Sequence, residues 1–357
     1  MLVGVVASAA VLAAASLVAP AAVTAGSHAE VHVPARYASQ QLAWKSCYPD
    51  PAKINELPQS EQVVARRLEC AQMTAPRDWH NPDTGPDLHI AVSRLEPEHG
   101  TPTQSLFVNP GGPGGPGITI AQRLDVAKRQ DVLSAMDIIS FDPRGTGAST
   151  RVSCAGGPMK SADPRDRSSA NLDRIAANNV ALAARCMKQS AGLLPYISTE
   201  QTVRDVDLLR RLLGRQKINW LGYSAGTWMG AYYSAYFPDR VGRFVLDSNV
   251  DFTTSWQNLL AKVPHGFERR FRKDFAPWAA AHSGKLQLGD TAELVRQYYE
   301  TLRADLNRAP VHSGSMVVDG PRLDSLVLEN LYRVSDFPKL ASLLGSLRHD
   351  ANTKRVF

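Results

Sequence analysis

The sequence predicts an α/β fold, a mostly parallel sheet with flanking helices, and three observations carry that prediction along the 357 residues. Short apolar runs at 105–109, 137–141, 218–221 and 243–247 alternate with longer helical patterns, the order expected of parallel strands joined by crossover helices. The first two runs lead straight into turns where regular structure stops, Pro110 to Gly117 and Asp142-Pro143-Arg144-Gly145-Thr146-Gly147. The third run opens into Gly222-Tyr223-Ser224-Ala225-Gly226, a G-x-S-x-G pentapeptide between strand and helix. That turn is so tight that its serine takes a strained backbone conformation with the hydroxyl clear of the sheet edge.

Taken in order, the chain starts with residues 1–25, which are apolar, rich in Ala and Val, and free of charged side chains. Val23-Thr24-Ala25 offers the small residues a signal peptidase reads, so a signal peptide cleaved before Gly26 and export to a secreted or extracytoplasmic location are expected. The segment is also long enough to span a bilayer, and a membrane is a partner only if it is retained as an anchor. Residues 26–76 read as loop-like. Leu88, Ile90 and Val92 alternate as in a half-buried strand. Residues 155–175 form a polar excursion, followed by a helix that approaches Cys186. Ser198 and Gln201 make a capping box for a helix whose face is Val203, Val206, Leu209 and Leu213, ended by Gly214. After the pentapeptide a helix runs over 225–237. Beyond Asp251 the patterns are helical: one capped by Asp290 with Glu293, one over 323–333, one over 335–348. The only strand pattern there is Met316-Val317-Val318. The division expected is 1–25 signal peptide, 26–251 sheet domain, 252–357 helical cap.

Cys47, Cys70, Cys154 and Cys186 form no C-x-x-C pair, and their even number suits an exported chain. Four cysteines allow three pairings; sequence proximity favours Cys47–Cys70 and Cys154–Cys186, with four free thiols as the alternative. The net charge of +6 is spread over the chain. Its densest cluster, Arg269, Arg270, Arg272 and Lys273, reads as a solvated helix face, and no nucleic-acid partner is expected.

The chemistry that the pentapeptide implies is acyl transfer by an activated serine, Ser224. Such a serine needs two backbone N–H donors aimed at the developing oxyanion. One is Ala225, the residue after the nucleophile; the other belongs to the loop after an earlier strand, where Gly111 and Gly112 stand. A phosphate-binding reading of that loop fails because no Lys-Ser/Thr follows its glycines. Neither a metal nor an organic cofactor is expected.

The ordered set Val108-Asn109-Pro110-Gly111-Gly112-Pro113-Gly114, Asp142 to Gly147, Leu221 to Thr227, Phe237-Pro238-Asp239-Arg240-Val241 and Val245-Leu246-Asp247 resembles the exported tripeptidyl aminopeptidases and related proline iminopeptidases. Cys70-Ala71 before Pro76-Arg77-Asp78-Trp79 is similar too. The resemblance implies an α/β-hydrolase fold with a helical cap, Ser224 as nucleophile, Gly112 and Ala225 as oxyanion hole, and a peptide with a free N-terminus as substrate. In that family an Asp and a His follow on later strands. Nothing after Ser224 here matches them: His265, His282, His312 and His349 read as surface or packing residues, and Asp247 as a turn residue. The final strands, the acid and the base are therefore expected to be missing from this chain, leaving it poorly active. Two alternatives stand beside the peptidase: an esterase or lipase on the same fold, and a non-catalytic pseudoenzyme. An exopeptidase also needs a carboxylate for the substrate amine, with Glu268, Glu293, Glu300 and Glu329 as candidates in the cap.

Overall fold

In the computed structural model residues 33–124, 135–157, 162–313 and 316–353 are described; the expected signal peptide and its cleavage site lie outside them. Seven strands form one sheet: β1 (Lys45–Ser46), β2 (Glu69–Ala75), β3 (Leu88–Leu95), β4 (Gln104–Asn109), β5 (Met136–Phe141), β6 (Ile218–Tyr223) and β7 (Val241–Asp247), in the spatial order β1-β2-β3-β5-β4-β6-β7. β5, β4, β6 and β7 run parallel, with Phe107 opposite both Ile139 and Trp220. Phe107, Ile139 and Trp220 have no exposed surface, as expected where helices cover both faces.

β1 and β2 correct the reading of residues 26–76 as loop. β2 pairs antiparallel with β3 over its whole length, from Glu69 opposite Arg94 to Ala75 opposite Leu88. Ala71, Met73 and Ala75 face inward, and the small, weakly strand-forming alanines hid the alternation. Both expected disulfides are present: Cys47–Cys70 fastens this added hairpin, and Cys154–Cys186 ties the loop after β5 to helix Ser169–Ser190.

Helix Thr199–Leu212 starts at the expected cap, with the Ser198 hydroxyl accepting the Gln201 amide at 3.2 Å, and buries Val203, Val206 and Leu209. The capping box is only half formed, because Gln201 Oε1 accepts the Trp79 amide at 2.9 Å instead of the Ser198 amide. Helix Ala225–Tyr236 follows β6 directly. Residues after Asp251 form helices Trp256–Arg270, Ala292–Arg308, Gly320–Asn330 and Phe337–Thr353, which share an apolar core of their own around Phe275, Leu302, Leu323 and Leu340. Thr291, not Asp290, caps Ala292–Arg308; its hydroxyl accepts the Leu294 amide at 3.2 Å, and Asp290 stands one residue too early. Helix Gly320–Asn330 begins three residues before the expected start because Asp319 accepts the Arg322 amide at 2.8 Å. A further strand, β8 (Val311–Ser313), pairs with β9 (Met316–Val318); its three residues are too few to give a periodic signal.

Candidate active site

Ser224 sits at the carboxyl end of β6 with φ 51° and ψ −121°, a conformation that non-glycine residues rarely adopt. The neighbours hold it there. Its amide donates to the Asp247 carbonyl at the end of β7, at 3.1 Å. Its carbonyl accepts the Thr227 amide at 2.9 Å and the buried Thr227 hydroxyl at 2.6 Å. The flanking glycines are needed for packing: a Cβ on Gly226 would stand 2.6 Å from the Asn109 carbonyl oxygen. Ser224 itself is exposed.

The glycine-rich loop after β4 lies against this turn. A Cβ on Gly111 would be 2.8 Å from the Ala225 nitrogen and would strike the Tyr223 carbonyl. The Gly111 amide is committed to Asn109 Oδ1 at 2.9 Å. The Gly112 amide has no acceptor among the described residues, and Ala225, as first residue of its helix, has no intrahelical one. These two backbone donors, one on the serine turn and one on the loop that packs against it, are therefore uncommitted.

Two buried side chains of the loop after β5 hold the surroundings. Asp142 Oδ1 accepts the Gly117 and Ile118 amides at 2.6 and 3.0 Å, and Oδ2 accepts Ala148 at 2.7 Å, fixing the far end of the glycine-rich loop. Arg144, with no exposed surface, makes a bidentate pair with Asp205 at 2.6 and 2.8 Å, and also donates to the Arg77 and Pro76 carbonyls. Trp79 Nε1 donates to the same carboxylate at 2.8 Å. This network fastens helix Thr199–Leu212 beside the site.

A cavity of about 790 Å³ opens next to the turn, lined by Gly111 and Ala225 on one side and by Trp228, Tyr232, Trp256 and Glu200 among others. Trp228 stacks on Trp256 at 4.6 Å and on Tyr232 at 5.5 Å, making one wall aromatic. His265, His282, His312 and His349 are not among its lining residues; His282 stacks on Trp278 instead. Asp247 contributes its carbonyl to Ser224, while its carboxylate accepts the Ser248 hydroxyl at 3.1 Å. The four candidate glutamates after Asp251 are engaged elsewhere: Glu268 with Arg272, Glu293 with Arg296, Glu300 with Arg165 and Glu329 with Arg322. The Arg296 and Gln297 bonds pull the Glu293 carboxyl down to about 2. Glu200 was missed in the sequence because its only local signal is a place in the first turn of a helix. Among the described residues no group of three or more His, Cys, Asp or Glu is placed to hold a metal.

Comparison with known proteins agrees with this architecture. The chain is 34% identical to a tripeptidyl aminopeptidase of Streptomyces lividans over 291 residues, 78% of this chain and 51% of that protein. It is 31% identical to the serine protease Hip1 of Mycobacterium tuberculosis H37Rv over 236 residues, 64% of this chain and 45% of that protein. It is 31% identical to a carboxylesterase B of Mycobacterium tuberculosis CDC 1551 over 267 residues, 72% and 49% of the two. The chain thus spans about half the length of these relatives. A family model for the α/β-hydrolase fold matches residues 104–306, from β4 through the serine turn into the helices after Asp251, and with the parallel strands and the strained serine in the places that fold requires, the chain belongs to the α/β-hydrolase family.

Proposed function

We propose that this chain carries the nucleophile and the oxyanion hole of an exported serine peptidase that releases residues or short peptides from free N-termini. The observation that carries the reading is Ser224 at φ 51°, exposed, followed by the uncommitted Ala225 amide, with the loop that bears Gly111 and Gly112 packed against the turn. In this reading the Ser224 Oγ bonds to the scissile carbonyl carbon while a general base takes its proton, and the two amides bond the oxygen as it becomes negative. Collapse breaks the C–N bond, the amine leaves with a proton, and water releases the acyl group. The relatives named tripeptidyl aminopeptidase and serine protease support an amide substrate. The apolar residues 1–25 and the two disulfides support export. The carboxylesterase relative favours a second reading, ester hydrolysis on the same scaffold, since the serine turn does not discriminate the two.

Labelling by a fluorophosphonate, followed by peptide mass analysis, tests the reading. The label is expected on Ser224, absent in Ser224→Ala, and slowed by an unblocked tripeptide amide. A label elsewhere removes the nucleophile assignment. Protection by simple acyl esters but not by peptide amides favours the esterase.

A further inference from the structure

We propose that Glu200 is the cation-binding group of the cavity and holds the ammonium of the ligand; this deepens the peptidase reading and rests on it for the identity of that ligand. Glu200 is the only carboxylate among the residues that line the cavity beside Ala225. The only other charged side chain there, Arg144, is fully buried and spent on Asp205 and backbone carbonyls. The cavity therefore offers no free cation to a ligand and one anion.

The state of that anion matters. Every bond at Glu200 falls on Oε1: Arg204 Nε and a second guanidinium nitrogen at 3.0 Å each, and His80 Nε2 at 2.9 Å. Oε2 has no partner among the described residues, and the side chain keeps 26% of its surface exposed. Arg204, only 9% exposed, fixes the carboxylate from one side, so little side-chain freedom remains to be lost when a donor reaches the other oxygen. The Arg204 charge weakens the attraction, yet an N–H donor on a cation still makes the stronger kind of hydrogen bond to a fixed carboxylate. The aromatic lining adds to the selection. Trp228, Tyr232 and Trp256 line the same cavity, and aromatic rings attract an ammonium and do nothing comparable for an anion.

One ammonium chemistry has two sources, a peptide N-terminus and a lysine side chain. The test uses the full chain with Ser224→Ala, which prevents turnover, and isothermal titration with three probes. These are an unblocked tripeptide amide with apolar side chains, its N-acetyl form, and an N-acetyl tripeptide amide that contains one lysine. The unblocked peptide is expected to bind about tenfold tighter than its acetyl form, a difference of about 1.4 kcal/mol. Adding Glu200→Gln should abolish the difference, and Glu200→Asp, which keeps the charge but shortens the reach, should cut it to threefold or less; thermal melts of each variant report folding. A tenfold preference that survives Glu200→Gln overturns the proposal, as does equal binding of all three probes. If only the lysine probe gains, and Glu200→Gln removes that gain, Glu200 is the cation site while the free-N-terminus reading fails.

Discussion

Replacing Gly111 by alanine is expected to damage both stability and the site, and Gly100→Ala supplies the control. Both glycines have nearly the same φ, +84° and +82°. An L side chain there costs roughly 1–2 kcal/mol from the left-handed backbone alone. Their surroundings differ. At Gly100 a new Cβ meets nothing within 4 Å, so only the backbone term applies. At Gly111 it meets three backbone atoms of the serine turn: the Tyr223 carbonyl, the Ala225 nitrogen at 2.8 Å and the Gly226 nitrogen at 3.0 Å. Backbone cannot rotate aside as a flexible side chain can. Overpacking of that kind adds roughly 1–3 kcal/mol, for a total near about 3 kcal/mol. The strain is relieved if the loop withdraws from the turn, which carries the Gly112 amide away from the oxyanion position. Loss of one such donor typically slows the reaction by about 10²–10³-fold. Urea unfolding gives the stability term, and the rate of fluorophosphonate labelling at Ser224 gives the site term. Gly100→Ala should lose about 1 kcal/mol and label at the parent rate. Equal stability and equal labelling rates for the two variants would refute the contact between loop and turn.

Arg144→Met should destabilise by about 3–5 kcal/mol in urea unfolding, because it leaves Asp205 charged, buried and short of its main partner; Arg144→Met with Asp205→Leu should recover much of the loss. Asp163 is opposed by burial but bonded by Arg303, the Arg165 amide and Asn307, which together pull its carboxyl down to about 2. Its folded value lies below the unfolded one, so its contribution is present above about pH 4 and is lost as pH falls toward 2. Thermal melts of the parent and Asp163→Asn should differ by the equivalent of about 1–2 kcal/mol at pH 6 and converge near pH 2, after allowance for screening at the protein surface. Removing the Cys154–Cys186 bridge by a double serine substitution should cost about 4 kcal/mol, given its sequence separation of 32, with Cys47–Cys70 intact in non-reducing peptide maps.

What was legible in the sequence is what one residue type alone can do. Gly111, Gly112, Gly222 and Gly226 stand where the backbone turns through positive φ or passes other backbone too closely for a Cβ, so the turns announced themselves. The parallel strands β5, β4 and β6 were equally plain, because burial on both faces demands continuous apolar runs. β7, whose run 243–247 reads as a buried strand, instead has no buried residue, with Val245 56% exposed. β2 was hidden by its alanines, and the cap of helix Ala292–Arg308 was misplaced by one residue where Thr and Asp compete as neighbours. Glu200 and the pair Arg144–Asp205 were hidden for another reason. Their roles come from partners distant in sequence: Asp205 lies 61 residues from Arg144 and 126 from Trp79. No spacing rule links such positions.

That division follows from how the site is built. The atoms proposed to do the chemistry, the Ser224 hydroxyl and the amides of Gly112 and Ala225, are backbone or next to it, so their directions are set by φ and ψ. A backbone direction is only as firm as the segments on either side of it. Asp142 holds one end of the glycine-rich loop through the Gly117 and Ile118 amides, and Asn109 holds the other through the Gly111 amide. Thr227 and the Asp247 carbonyl hold the serine. Each of these groups is a polar atom on or beside a strand end, where rigid pairing on one side leaves the turn little freedom on the other. The cavity wall is organised differently, by Arg144 pinning helix Thr199–Leu212 and by Trp228 stacking on Trp256. Changes in the wall can therefore alter which ligand fits while the strand ends keep the nucleophile and its donors in register.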